Sequence, residues 1–155
     1  MFTVLFVCTG NICRSPTAEG VFRRMVNDAG LQERIGTDSA GTEGYHVGEP
    51  PDSRSAAAAR ARGYPIDDLR ARQAVREDFE RFNLVLAMDR SHFRQLKRLA
   101  PAGREDRLKL FLDYAPGVSI RDVPDPYYGG PEGFRHVLEL IEAGSRGLLE
   151  AIRRE

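Results

Sequence analysis

One stretch constrains this chain more than any other. Residues 1–16 read MFTVLFVCTGNICRSP, an apolar run, a short turn-forming segment and a helix start. Val4, Leu5, Phe6 and Val7 form the continuous, branched pattern of a strand buried on both faces of a parallel sheet. Cys8 follows at the strand's carboxyl end. Ser15 and Pro16 read as an N-cap and a first-turn proline, and Ala18, Val21, Phe22, Met25, Val26 and Ala29 recur at helical spacing until Gly30. The predicted unit is strand, tight loop, helix.

A loop that closes onto a helix N-terminus turns successive backbone N–H groups toward its own centre and adds the positive end of the helix dipole, so it binds anions. Phosphate is the natural guest. Gly10 permits a sharp turn, and Arg14 offers a planar fork that can hold two phosphate oxygens at once. The same positive surroundings lower a cysteine's pKa from about 8.5 into the range of roughly 3.5–7.5, which makes Cys8 a candidate thiolate nucleophile beneath a bound phosphate. The bare Cys-x5-Arg spacing also fits an inert buried cysteine. Position, Gly10, Asn11 and the Ser15-Pro16 helix start favour the anion loop.

The rest of the composition limits the alternatives. The 155 residues suffice for one domain, 1–155, with a proper core. The 23 basic and 23 acidic residues cancel, which argues against nucleic acid or an acidic membrane surface as partner. Two cysteines, both in the loop, make neither a disulfide framework nor the ligand set of a structural zinc site, so no metal and no cofactor is expected. With no charged leader ahead of an apolar stretch and no run near the ~20 residues of a membrane span, the expected location is the reducing cytoplasm.

Along the chain, Ile35 to Gly41 is a plausible second strand running into the small residues Ser39-Ala40-Gly41-Thr42. Ser53 to Arg62, closed by Gly63, reads as a helix. A short helix over Glu77 to Phe82 precedes the apolar strand Leu84 to Met88, and Asp89, Ser91 and Pro101 bracket a basic helix. Leu108 to Leu112 is the expected fourth strand, and the alternation is βαβα throughout. From Asp113 to Gly133 the chain is rich in Pro and Gly, too long for an ordinary connection and hence a candidate functional loop. Phe134, Val137, Leu138, Ile141, Ser145, Leu148, Leu149 and Ile152 share one face of the last helix.

Taken with Ser39-Ala40-Gly41-Thr42, the segments Cys8-Thr9-Gly10-Asn11-Ile12-Cys13-Arg14-Ser15-Pro16 and Asp125-Pro126-Tyr127-Tyr128-Gly129 make the chain resemble the low-molecular-weight protein tyrosine phosphatases. The resemblance runs from Val4 to the last helix. It implies one three-layer α/β domain of the phosphotyrosine phosphatase I type, with about four parallel strands and helices on both faces. It also implies hydrolysis of phosphotyrosine in proteins or peptides, and of small aryl phosphates, through a phospho-cysteine, with inorganic phosphate and other oxyanions as inhibitors. By the same resemblance Cys8 is the nucleophile, Arg14 binds the phosphate, Ser15 donates to the thiolate, Asn11 holds the loop's shape and Asp125 is the general acid. Thr9, Gly10, Ile12 and Cys13 complete the phosphate loop, with Ser39 as support. Tyr45, Tyr127 and Tyr128 are expected as pocket walls, whereas His46, His92 and His136 match no catalytic position.

Chemistry requires such an acid, because a phenolate leaves phosphate cheaply only when its oxygen is protonated. Taken alone, Asp125 before Pro also reads as a turn residue. The chain departs from the family at Leu69, where members often carry a His tied to the loop Asn, so Asn11 needs another anchor, for which Ser39 is the candidate. Related arsenate reductases need two further cysteines, which this chain lacks. Arginine phosphatases tend to have Thr where Ile12 stands, so Ile12 favours phosphotyrosine. A sugar-phosphotransfer carrier or a plain phosphate-binding module would not need Asp125 on a tyrosine-flanked flap. Cys13 reads either as a packing residue or as a resolving thiol that traps oxidised Cys8.

Overall fold

The computed structural model describes residues 1–127 and 130–154. Four strands, β1 (Phe2–Cys8), β2 (Ile35–Gly41), β3 (Leu84–Ala87) and β4 (Leu108–Leu110), form one parallel sheet in the order β2-β1-β3-β4. Among the described residues five α-helices, α1 (Arg14–Asp28), α2 (Ser53–Ala61), α3 (Asp78–Arg81), α4 (Arg90–Leu99) and α5 (Pro131–Arg153), accompany the sheet in an α/β domain.

β1 is central because both its faces are apolar. Val4, Phe6 and Cys8 point into a core shared with Phe22 and Val26 of α1 and with Leu138 and Ile141 of α5. Leu5 and Val7 point the other way, toward Phe79 of α3 and Leu96 of α4. Helices therefore cover both faces, the arrangement that all-parallel sheets require. Phe6 packs edge-on against Phe22 and Phe111, with ring centroids 5.8 and 5.7 Å apart.

Two local expectations need correction. β4 stops at Leu110 rather than Leu112, and Phe111–Tyr114 form a 3-10 turn. The turn carries the fully buried Phe111 into the core on the α1 and α5 side, so that burial overrides strand continuation. Ser15 is not an N-cap either: α1 begins at Arg14 after Cys13, with no side-chain cap. Its hydroxyl is used inside the loop instead.

The parallel register places Cys8 beside Gly41 and brings the carboxyl end of β3 alongside. β1, β2 and β3 thus deliver their following loops to one edge of the sheet, where ligands bind in open α/β folds.

Candidate active site

The loop from Cys8 to Ser15 curls between the end of β1 and the start of α1, and its shape is set by Asn11. Asn11 is the one non-glycine residue with positive φ among the described residues, at 59°. Asn tolerates this left-handed conformation better than most residues. Its side chain repays the strain: Nδ2 donates to Ser15 Oγ at 2.8 Å and to Ser39 Oγ at 3.0 Å, while Oδ1 accepts from the Arg72 backbone N–H at 3.0 Å. Ser39 thus holds Asn11, joined by a backbone group that sequence reasoning did not reach. Leu69 packs instead in the small apolar cluster of Ala56, Ala59 and Ile66.

Gly10 is needed for a reason other than the turn. A Cβ there would stand 2.8 Å from the His46 ring, so the side-chain-free position lets the loop from β2 close over the pocket. Gly41 serves likewise, since a Cβ on it would meet the Thr9 carbonyl at 2.6 Å.

Cys8 Sγ lies 3.0 Å from Ser15 Oγ, and both residues are buried. From there a continuous string of hydrogen bonds runs through Asn11 and Ser39 to Glu19, whose Oε1 accepts from Ser39 at 2.7 Å. Burial raises the pKa of Glu19, against the lowering hydrogen bond from Ser39. Sequence reading passed over this acid, although Glu19 stands four residues after Ser15 and so shares its helix face.

Arg14 is 4 % exposed and anchored on one arm. Its Nη1 donates to Asp89 Oδ2 at 2.8 Å and to the Val123 carbonyl at 2.9 Å. Both hydrogens of Nη1 are thereby spent, and Nε and Nη2 remain to grip an oxyanion. Asp89 also caps α4 by accepting from the backbone of Ser91 and His92. Burial would raise its pKa, but the Ser91 hydroxyl, His92 and Arg14 together hold it down to about 2. It is therefore a fixed anion and a poor proton donor.

Asp125 differs. Its carboxylate is 49 % exposed, with Oδ2 3.7 Å from Arg14 Nη2, while Oδ1 accepts from the Tyr127 backbone N–H at 3.0 Å. It lines a cavity of about 190 Å³ together with Cys8, Gly10, Ile12, Cys13 and Arg14. Thr9, Tyr45, His46 and Tyr127 supply the walls. Of the expected pocket aromatics Tyr45 and Tyr127 stand there, and Tyr128 lies outside the described residues. His46 was missed, since a lone His in a turn-rich segment carries no signal of its own.

Cys13 is buried beside Cys8, and both are free thiols. Desolvation pushes its pKa up to about 12, so Cys13 is a neutral thiol at physiological pH. His92, which by sequence matched no catalytic position, is 1 % exposed and reaches the loop from α4: its Nε2 lies 2.8 Å from Thr9 Oγ1.

An α/β sheet edge that gathers a buried cysteine, an anchored arginine and a half-exposed carboxylate around one cavity has the groups that a phosphate-directed hydrolase would need. Comparison gives the family. The sequence model of the family described as low molecular weight phosphotyrosine protein phosphatase matches residues 3–155, and the chain belongs to that family. It is 50 % identical to the low molecular weight protein-tyrosine-phosphatase of Streptomyces coelicolor, over 99 % of this chain and 95 % of that protein. A crystal structure of a protein tyrosine phosphatase from Entamoeba histolytica, with Hepes in the active site, superposes with a TM-score of 0.96 at 36 % identity, covering 99 % and 98 % of the two chains. Vibrio vulnificus Wzb in complex with benzylphosphonate superposes with a TM-score of 0.84 at 26 % identity, covering 97 % of this chain and 98 % of that one.

Proposed function

We propose that the protein hydrolyses phosphotyrosine in proteins or peptides, and small aryl phosphates, through a phospho-Cys8 intermediate. The observation that supports this reading is that Cys8, Arg14 and Asp125 line one small cavity, with Asp125 Oδ2 3.7 Å from Arg14 Nη2. Arg14, through Nε and Nη2, and the loop N–H groups hold the phosphoryl oxygens and disperse the charge that builds in the transition state. The Cys8 thiolate attacks phosphorus in line, and the P–O bond to the tyrosyl oxygen breaks as Asp125, protonated at that moment, passes its proton to the leaving phenolate. Asp125, now a carboxylate, then takes a proton from a water that attacks phospho-Cys8, releasing inorganic phosphate and restoring the thiolate.

Tyr45 and Tyr127 suit a flat aromatic ring between them, and the benzylphosphonate complex of Wzb supplies a parallel for an aryl group joined to a phosphate-like head. Inorganic phosphate and related oxyanions act as competitive inhibitors in this reading. The site needs no metal and no cofactor. None of the described helices is long and apolar enough to cross a membrane, and cytoplasmic residence is part of the proposal. The test is hydrolysis of phosphotyrosine, phosphoserine and phosphoarginine peptides side by side, with vanadate as inhibitor. Phosphotyrosine should be turned over at least tenfold faster, and equal or faster hydrolysis of phosphoarginine would overturn the assignment.

A further inference from the structure

His92 belongs to no part of the mechanism above, yet it lies against two residues of the phosphate loop. Its ring is almost fully buried. Nε2 sits 2.8 Å from Thr9 Oγ1 and 3.5 Å from Arg14 Nη2. Nδ1 lies 3.2 Å from Asp89 Oδ1, out of line for a good hydrogen bond and with no other partner among the described residues.

These neighbours assign the proton. Arg14 can only donate, so a hydrogen on Nε2 would face a guanidinium, while an ionised Asp89 can only accept, so a bare Nδ1 would face a carboxylate. Both conflicts vanish in one tautomer: Nδ1 carries the hydrogen and Nε2 accepts from the Thr9 hydroxyl. With its own hydrogen so engaged, Thr9 Oγ1 presents a lone pair to Arg14 Nη2, 3.5 Å away.

Resting on the phosphatase reading, we infer that His92 is a positioning residue: through the Thr9 hydroxyl it fixes the Nη2 arm of Arg14 in the plane that receives the phosphoryl group. The two arms are then held by different chemistry. A carboxylate and a carbonyl hold Nη1 from behind, while the neutral Thr9 hydroxyl, itself held by His92, accepts from the arm that meets the substrate. The Asp125 carboxylate stands 3.7 Å from Nη2, half exposed and beyond hydrogen-bond distance, whereas a hydroxyl backed by a neutral imidazole orients the fork at closer range without competing with a dianion.

The test reads inorganic phosphate binding by calorimetry alongside kcat and KM for an aryl phosphate, with thermal melting on every variant. Thr9→Val and His92→Phe should each weaken phosphate by about tenfold and raise KM in parallel, the size of one lost hydrogen bond to a charged network. The double variant should lose no more than either single one, because both break the same link. His92→Gln, whose side-chain oxygen can stand in for Nε2, should recover most of the affinity. Additive losses in the double variant, or a His92→Gln no better than His92→Phe, would overturn the role. If His92→Phe fails to fold, Thr9→Val decides alone, and wild-type phosphate affinity there would overturn it. A wild type that neither binds phosphate nor hydrolyses the aryl phosphate would instead defeat the phosphatase reading itself.

Discussion

Asp89 and Asp125 both face Arg14, and the contrast between them separates the two halves of the site. Asp89 lies just after β3 and caps α4, with a carboxylate 18 % exposed and 2.8 Å from the guanidinium. Asp125 rides the irregular segment before α5, with a carboxylate 49 % exposed and 3.7 Å away. Arginine beside a rigid, hydrogen-bonded carboxylate gains orientation, and that carboxylate loses the ability to carry protons. In the proposed mechanism the fixed half binds and the flap half moves protons.

The largest test of this division removes the groups of the fixed half. Cys8→Ser should abolish turnover, by more than about 10³-fold, while phosphate still binds, because the N–H cradle and Arg14 remain. Arg14→Ala should lose both activity and phosphate binding. A Cys8→Ser variant with a substantial fraction of wild-type kcat on an aryl phosphate would rule out covalent catalysis.

Next comes the direct exchange of the two carboxylates. Asp125→Asn should lower kcat for phenolic leaving groups by roughly 10²–10⁴ and remove the alkaline limb of the pH profile, with little change in melting temperature. Asp89→Ala should do the opposite, costing about 2 kcal/mol of stability through the lost cap and the orphaned Arg14 while keeping the alkaline limb. If the limb disappears with Asp89 instead, the roles are reversed. Asp89 is the other carboxylate facing Arg14, and its pKa of about 2 argues against its serving as the acid.

A smaller effect concerns stability against pH. Burial, and then the Arg14 charge, lowers the pKa of His92 from 6.5 to about 4. The unfolded chain thus binds a proton on this residue before the folded one does. Stability from this source is complete above pH 6.5 and is lost as pH falls toward 4, by about 3 kcal/mol at most. Glu19, with its pKa raised by burial, works in the opposite direction above pH 4.5. The difference between wild type and His92→Gln isolates the histidine: the variant should lose less stability between pH 6.5 and pH 4, and parallel curves would refute the shift.

The smallest expected effect is protective. Peroxide should inactivate the enzyme, phosphate should shield it, and dithiothreitol should restore wild type more fully than Cys13→Ser, as expected if Cys13 traps the Cys8 sulfenic acid as a disulfide. Full recovery of Cys13→Ser would leave Cys13 a packing residue.

Much of this division was legible in the sequence, and what was missed has a common cause. β1, the loop and α1 are contiguous, so apolar run, Gly10, Asn11 and helix periodicity report directly on neighbours in space. Asp125 was found through the family motif around it. His92 lies 83 residues from Thr9, and only the parallel pairing of β1 with β3 brings them together, so local pattern carries no trace of the contact. Ser15 misled because a serine before a proline at a helix start suits a cap, and its role in the loop depends on Asn11 folding back over it. Phe111 extended an apolar run that burial on the other face of the sheet cut short.

Rapid-quench trapping bears on the central claim most directly. Wild type mixed with a phosphate-labelled aryl phosphate at low pH should give an acid-stable phosphoenzyme within the first turnover, and peptide mapping should place the label on Cys8. Asp125→Asn should still carry the label on Cys8, at a slower rate of formation. Label on another residue, or burst-free turnover with no phosphoenzyme in either protein, would contradict the account.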